Sequence, residues 1–175
     1  MTVTEGLPRA IVVMGVQGIG KSTIGTLLAE RLGVPFIDGD RLHPQRNIAL
    51  MSAGTPLTDD DREPWLHAVG AALAAHAASG VVVACSALRR AYRDIISAHA
   101  PGVLFIEPWA PIELVRARVA ARDHEYMPAE LLQSQYDTLE PLGDDEHGLR
   151  VAVTATPEQV VAQIMTSIVG AGESA

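Results

Sequence analysis

Apolar residues in this chain fall into two patterns. Short apolar, β-branched runs at 10–14, 36–38, 81–85, 103–107 and 151–154 predict strands. Between them, apolar positions recur every three or four residues, as at Ile24, Leu27, Leu28 and Leu32, and at Leu66, Val69 and Leu73. That spacing predicts helices. One runs from Lys21 to a C-terminal stop at Gly33. A short one follows Pro44, which suits a first turn. Another is capped within Thr58–Asp61, and a fourth carries Leu88, Tyr92, Ile95 and Ile96. Further helices are predicted at 112–122, 131–139 and 157–168, and the small polar tail 170–175 is expected to fray.

Strands alternate with helices, and the strands are apolar on both sides. This is the signature of an α/β fold, a parallel sheet covered on both faces by helices. Ligands of such sheets bind beyond the carboxyl ends of the strands. No repeat or linker interrupts the pattern, so residues 1–175 are expected to form one domain. The polar stretches 40–62 and 122–130 would lie over one edge of it.

Composition narrows the reading. A 175-residue chain that is 48% hydrophobic can bury a core, and with 4% aromatics that core is aliphatic. A net charge of −8 without a basic run argues against nucleic acid or anionic membrane as a partner. The lone cysteine, Cys85, permits no intrachain disulfide, which suits a reducing cytoplasm. No signal peptide is visible in residues 1–9, and no apolar run reaches membrane-spanning length. Of the thirteen basic residues, twelve are arginine; the one lysine is Lys21.

Lys21 stands in Gly15-Val16-Gln17-Gly18-Ile19-Gly20-Lys21-Ser22, a complete G-x-x-x-x-G-K-S phosphate loop between a predicted strand and helix. Its glycines let backbone amides converge on phosphate, and the helix N-terminus adds positive character. Lys21 can reach the β- and γ-phosphates, and the Ser22 hydroxyl can hold Mg²⁺. The nucleotide set is Gly15 through Ser22 with Thr23. By itself the loop implies nucleoside triphosphate binding, not transfer.

Asp38-Gly39-Asp40 ends the second strand, beside the phosphate loop if the sheet is parallel. Asp38 is assigned to the metal, through water, and Asp40 to orienting and deprotonating an attacking hydroxyl. His43, Arg46 and Asn47 are spaced to share a helical face, and Arg62 adds a cation. This set suits a small hydroxyl-rich anion: arginine clamps carboxylate, while His and Asn bond hydroxyls. Ser86, Arg89 and Arg93 follow the third strand and face the substrate or stand in solvent; Arg90 is expected to be solvated. Arg116, Arg118 and Arg122 precede His124–Pro128. An arginine-bearing segment closing over ATP would exclude water and neutralise the phosphoryl group, with Arg118 at the nucleotide and Arg122 catalytic. His67, His76 and His99 read as structural, without a polar cluster, and Cys85 as a core residue.

These residues together resemble the gluconate kinases of the P-loop type, relatives of shikimate kinase and adenylate kinase. The likeness runs through most of the chain in order. It includes Gly15–Ser22, Asp38-Gly39-Asp40, Leu42-His43-Pro44 with Arg46-Asn47, and Met51 with Gly54 and Pro56-Leu57. It continues in Asp59-Asp60-Asp61-Arg62 with Pro64-Trp65-Leu66, Cys85-Ser86-Ala87-Leu88 with Tyr92-Arg93, and Ser134-Gln135 with Leu139-Glu140. The Leu-His-Pro and Asp-Asp-Asp-Arg-x-Pro-Trp segments are more specific than the loop. The resemblance implies a P-loop NTPase fold with a five-stranded parallel sheet and a small mobile lid near 122–130. It implies ATP- and Mg²⁺-dependent phosphorylation of D-gluconate at the 6-hydroxyl, in a cytoplasmic enzyme that can be a homodimer. It also implies acceptor contacts from Asp40, His43, Arg46, Asn47, Arg62, Ser86, Arg93 and Gln135. The chain departs from the family pattern at Glu125-Tyr126-Met127, where His124 is displaced by one position. Other readings are a kinase for another small acid such as shikimate, a nucleoside monophosphate kinase, or a regulatory module that binds nucleotide without transfer.

Overall fold

A computed structural model describes residues 6–121 and 129–172. Strand β1 (Ala10–Val13) leads through the phosphate loop into α1 (Lys21–Leu32). Strand β2 (Phe36–Asp38) is followed by a 3-10 turn (Gly39–Leu42), α2 (Gln45–Ser52) and α3 (Asp59–Ala75). Then come β3 (Val81–Ala84), α4 (Arg90–His99), β4 (Leu104–Trp109), α5 (Ile112–Ala120), α6 (Ala129–Thr138), β5 (Gly148–Ala152) and α7 (Pro157–Gly172). The five strands form one parallel sheet in the order β2-β3-β1-β4-β5.

The expected fold class holds, with helices on both faces. Alternate strand residues explain the two layers. Ile11 and Val13 pack with Ile24 and Leu28 of α1, Val115 of α5 and Ile164 of α7. Val12 and Met14 pack with Trp65, Val69 and Leu73 of α3 and Ile96 of α4. A side chain of this kind contributes about 1.5–3 kcal/mol when fully buried.

Three local sequence signals act as predicted. Gly33 stops α1 in the left-handed region at φ 68°, donating to Ala29 O and Glu30 O. Thr58 caps α3 in a reciprocal box with Asp61, which holds the Asp61 carboxyl below its ordinary range. Buried Cys85 has its thiol pushed up to about 12 by burial, as suits a core residue rather than a nucleophile.

Other features differ from expectation. Strand β5 begins at Gly148, ahead of the predicted start, because Gly148 and Arg150 lie exposed on an edge strand and carry no apolar signal. His67 and His99 do form a polar contact: Nδ1 of one lies 2.7 Å from Nε2 of the other, with Glu63 3.6 Å from His67. Arg90 is not solvated alone but pairs with Asp94 and Asp145. Among the described residues no helix is long and apolar enough to cross a membrane.

Candidate active site

The phosphate loop emerges from the carboxyl end of β1, the middle strand. Gly15, Gly18 and Gly20 adopt φ of 123°, 84° and 104°, which residues with a Cβ rarely adopt. Val16 and Ile19 bury their side chains in the core and leave only backbone to a ligand. Gly20 gives α1 no side-chain cap, so the N–H groups of its first turn have no such partner. Ser22 and Thr23 are exposed there. That is the arrangement by which helix starts bind phosphate.

The Lys21 ammonium donates to Val16 O at 2.9 Å. Burial pulls its pKa down to about 8, against the opposing pull of Asp40, Cys85 and Asp38. A desolvated ammonium that feels both aspartates is poised for a polyanion, which would restore its charge.

Those aspartates do not adjoin the loop as the sequence suggested, because β3 lies between β2 and β1. Asp38, Ala84 and Val13 nevertheless stand in one row across the three strands. Two strand spacings separate its ends, about 10 Å. Asp38 Oδ1 accepts from Asp40 N at 3.0 Å and so caps the 3-10 turn that presents the exposed Asp40. The turn passes so close to β3 that a Cβ on Gly39 would sit 2.3 Å from Ala84 O. Trp65 Nε1 donates to Gly39 O at 2.8 Å and pins the turn from below.

Beyond it, His43 stacks on Trp65 with ring centroids 4.1 Å apart. Asn47 bonds His43 Nδ1 at 3.2 Å and donates to Asp61 O at 2.7 Å. Burial lowers the His43 pKa despite the pull of Asp40. Arg46 does not share this inward face; it points outward, 3.3 Å from Asp61. The Arg62 and Arg89 guanidiniums both lie 5.9 Å from the Tyr92 ring, whose hydroxyl donates to Asp59. Arg89 also pairs with Asp59, at 3.2 Å.

The remaining predicted residues fall in different places. Ser86 follows β3, and its carbonyl accepts from Gly15 N at 3.1 Å. Arg93 is the clearest correction. It is 1% exposed, and its guanidinium holds Glu146 and the carbonyls of Ala87 and Leu88, so the contacts it makes are to the core and not to an open face. Gln135 Oε1 accepts from Gln17 N at 2.6 Å, so α6 touches the phosphate loop itself. Arg118 donates to Val153 O at 2.7 Å, just past β5. Arg122, His124 and most of the 122–130 stretch lie outside the described residues.

Sequence reasoning assigned no role to Trp65, Tyr92, Asp59, Glu140 or Glu146. The signal for Trp65 and Asp59 was their presence in the specific Asp-Asp-Asp-Arg-x-Pro-Trp segment. Tyr92 and Glu140, which accepts from Arg90 N, also stand in segments that carry the family likeness, whereas nothing in local pattern marked Glu146. An open cavity of about 590 Å³ lies between the start of α4 and α6, lined by Arg89, Arg116, Glu130, Gln133, Asp137 and Glu140 among others. No phosphate-loop residue lines it.

The donor set suits a hard cation. Among the described residues no three His, Cys, Asp or Glu side chains gather to hold a metal. An exposed serine hydroxyl at the start of α1 and a carboxylate at the end of β2 match Mg²⁺, which takes one or two protein oxygens and fills its shell with water and phosphate.

Comparison with known proteins places the chain in a family. A family model described as shikimate kinase matches residues 17–169. A gluconokinase of Gluconobacter oxydans is 42% identical over 160 residues, covering 90% of each chain. The thermoresistant gluconokinase of Escherichia coli is 38% identical over 171 residues, covering 96% of this chain and 98% of its own. A crystal structure of a gluconokinase from Sinorhizobium meliloti superposes with a TM-score of 0.88 at 43% identity, covering 96% of this chain and 95% of the other. A phosphate loop facing an aspartate turn across one sheet edge, in a chain this similar to those enzymes, belongs to the gluconokinase family of P-loop kinases.

Proposed function

We propose that the protein transfers the γ-phosphoryl group of ATP to the 6-hydroxyl of D-gluconate, giving 6-phosphogluconate and ADP. The observation that carries this is the row formed by Val13, Ala84 and Asp38. It supports a site in which a desolvated Lys21, which feels the charges of Asp40 and Asp38, works with both aspartates, and His43, Asn47 and Arg62 would line the acceptor side.

In the proposed step the gluconate O6 attacks Pγ as the bond from Pγ to the β,γ-bridging oxygen breaks. The O6 proton passes to the Asp40 carboxylate, and ADP leaves with the bridging oxygen's electrons. Lys21 and the amides at the start of α1, which have no side-chain cap, hold the phosphates as charge shifts toward the leaving oxygen. Ser22, and Asp38 through water, would hold Mg²⁺, which would supply further neutralisation of that charge. His43 and Asn47 meet acceptor hydroxyls, and Arg46 or Arg62 meets the carboxylate, so that the far end of the sugar acid faces the nucleotide. Ser86 and Gln135, which bond the loop at Gly15 and Gln17, would meet the acceptor from the loop side. Arg118 and Arg122 belong to the nucleotide side, Arg122 acting on the transferring group. A cytoplasmic enzyme, with a homodimer possible, fits this reading.

The test is an acceptor panel of gluconate, shikimate and nucleoside monophosphates, with purified protein, ATP and Mg²⁺, read by ADP release. Gluconate is expected to dominate. Preference for another acceptor overturns the substrate, and tight ATP binding with no transfer to any acceptor overturns catalysis itself.

A further inference from the structure

Among the described residues, Ala87 is the one residue other than glycine with a positive φ, 40°, and it is fully buried. The left-handed region is disfavoured for any residue with a Cβ, and persists only where the surroundings impose it. Here they do so through carbonyls. Ser86 O accepts from Gly15 N at 3.1 Å. Ala87 O accepts from Arg93 Nη1 at 3.0 Å. Leu88 O accepts from Glu140 N at 2.7 Å, with Arg93 Nη1 at 3.4 Å.

Arg93 is itself fixed. Its Nε and Nη2 donate to the two Glu146 oxygens at 2.6 and 2.9 Å, and Glu146 also accepts from Gly143 N at 2.9 Å. The bond from Arg93 holds the Glu146 carboxyl below its ordinary range. A planar guanidinium can grip a carboxylate with one edge and backbone carbonyls with the other, which an ammonium cannot do.

The gripped turn occupies a particular place. On one side it meets the phosphate loop through Gly15. On the other, β3 supports Gly39, and Arg89 reaches Asp59 at the start of α3. We propose that Arg93 and Glu146 form a buried clamp that holds the Ser86–Ala87–Leu88 turn in its left-handed shape and so sets the acceptor wall against the phosphate loop. Arg93 is then a positioning residue for the acceptor, not a contact to it. The proposal deepens the kinase reading and rests on it.

A specific asymmetry follows. The phosphate loop takes its shape from its own glycines and meets the turn through one backbone bond, whereas Ser86 and Arg89 depend on the turn for their placement. Loosening the clamp should therefore weaken the acceptor's fit far more than the nucleotide's.

The test varies both substrates in steady-state assays of Arg93→Lys, with and without Ala87→Gly. Arg93→Lys is expected to raise KM for gluconate about tenfold or more while KM for ATP stays within about twofold. Ala87→Gly, which favours the left-handed shape without a Cβ, is expected to restore at least about threefold of the lost kcat/KM for gluconate. If both KM values rise together, or neither changes while Tm falls, the pair is a plain core contact and the proposal is overturned. Failure of Ala87→Gly to restore activity overturns it equally. Should Arg93→Lys not accumulate as folded protein, Glu146→Gln is read by the same criteria. The two readings fail separately: an unsubstituted protein that prefers another acceptor removes gluconate, and the clamp is then judged with that acceptor.

Discussion

At the phosphate loop, the groups that would meet the ligand are backbone amides, shaped by three left-handed glycines and anchored by the buried side chains of Val16 and Ile19. On the acceptor side they are side chains held by one another: His43 by Trp65 and Asn47, Arg46 by Asp61, Arg89 by Asp59. Backbone sites tolerate little change in sequence but need few partners. Side-chain sites spread their geometry over many residues, any of which can be altered singly. The difference predicts that changes at the loop disable the enzyme outright, whereas changes at the wall separate acceptor from nucleotide.

The largest effect is expected from Lys21→Ala, which removes the loop's one fixed charge. Turnover should fall by about 10³-fold or more, as for other groups that stabilise transferring charge. Wild-type-like rates would remove the loop from the mechanism. Asp40→Asn should follow, with kcat lowered by about 10²-fold and ATP affinity within about twofold, since general base catalysis contributes on that scale. Equal losses in both would mean that Asp40 shapes the nucleotide site instead.

Trp65→Phe sharpens the contrast further. It keeps a ring under His43 but leaves Gly39 O without its donor, a change of about 1–2 kcal/mol. Gluconate turnover should fall by about tenfold with ATP binding intact, as read by the same kinetics and by calorimetry. A loss of ATP affinity instead would join the two regions rather than divide them.

The smallest effect concerns pH. In the free protein Lys21 loses its proton as pH rises through about 8. Bound phosphates oppose the burial that lowers its pKa, so above that pH binding must take up a proton. ATP affinity should then fall with rising pH, by at most about tenfold per unit. Titration calorimetry between about pH 7 and 9.5 reads this, and Lys21→Met should abolish the slope.

Much of this division was already visible in the chain. The phosphate loop is legible because its chemistry is local: eight consecutive residues specify glycine conformations, a helix start and a charge. The α1 stop at Gly33 and the α3 cap at Thr58 are legible for the same reason. Strand order is not, because periodicity says which residues are buried and not which strand is a neighbour; hence Asp38 was placed one strand too near the loop. The fate of Arg93 was equally hidden. A four-residue spacing puts two arginines on one face only within a helix, but Arg89 precedes α4 while Arg93 lies within it. Glu146, its partner, is 53 residues away in the chain. An arginine at a helix position can be bound for solvent, substrate or a distant carboxylate, and only the fold decides among them.

The use of arginine almost everywhere leaves Lys21 as the only primary amine among the side chains. With a pKa near 8, a larger share of it is free amine at mildly alkaline pH than of an ordinary lysine. An amine-selective acylating reagent at mildly alkaline pH therefore has one side-chain target, at the foot of the phosphate loop. Peptide mass mapping of that single adduct, with and without nucleotide, would report occupancy of the loop in the native chain, with no engineered label.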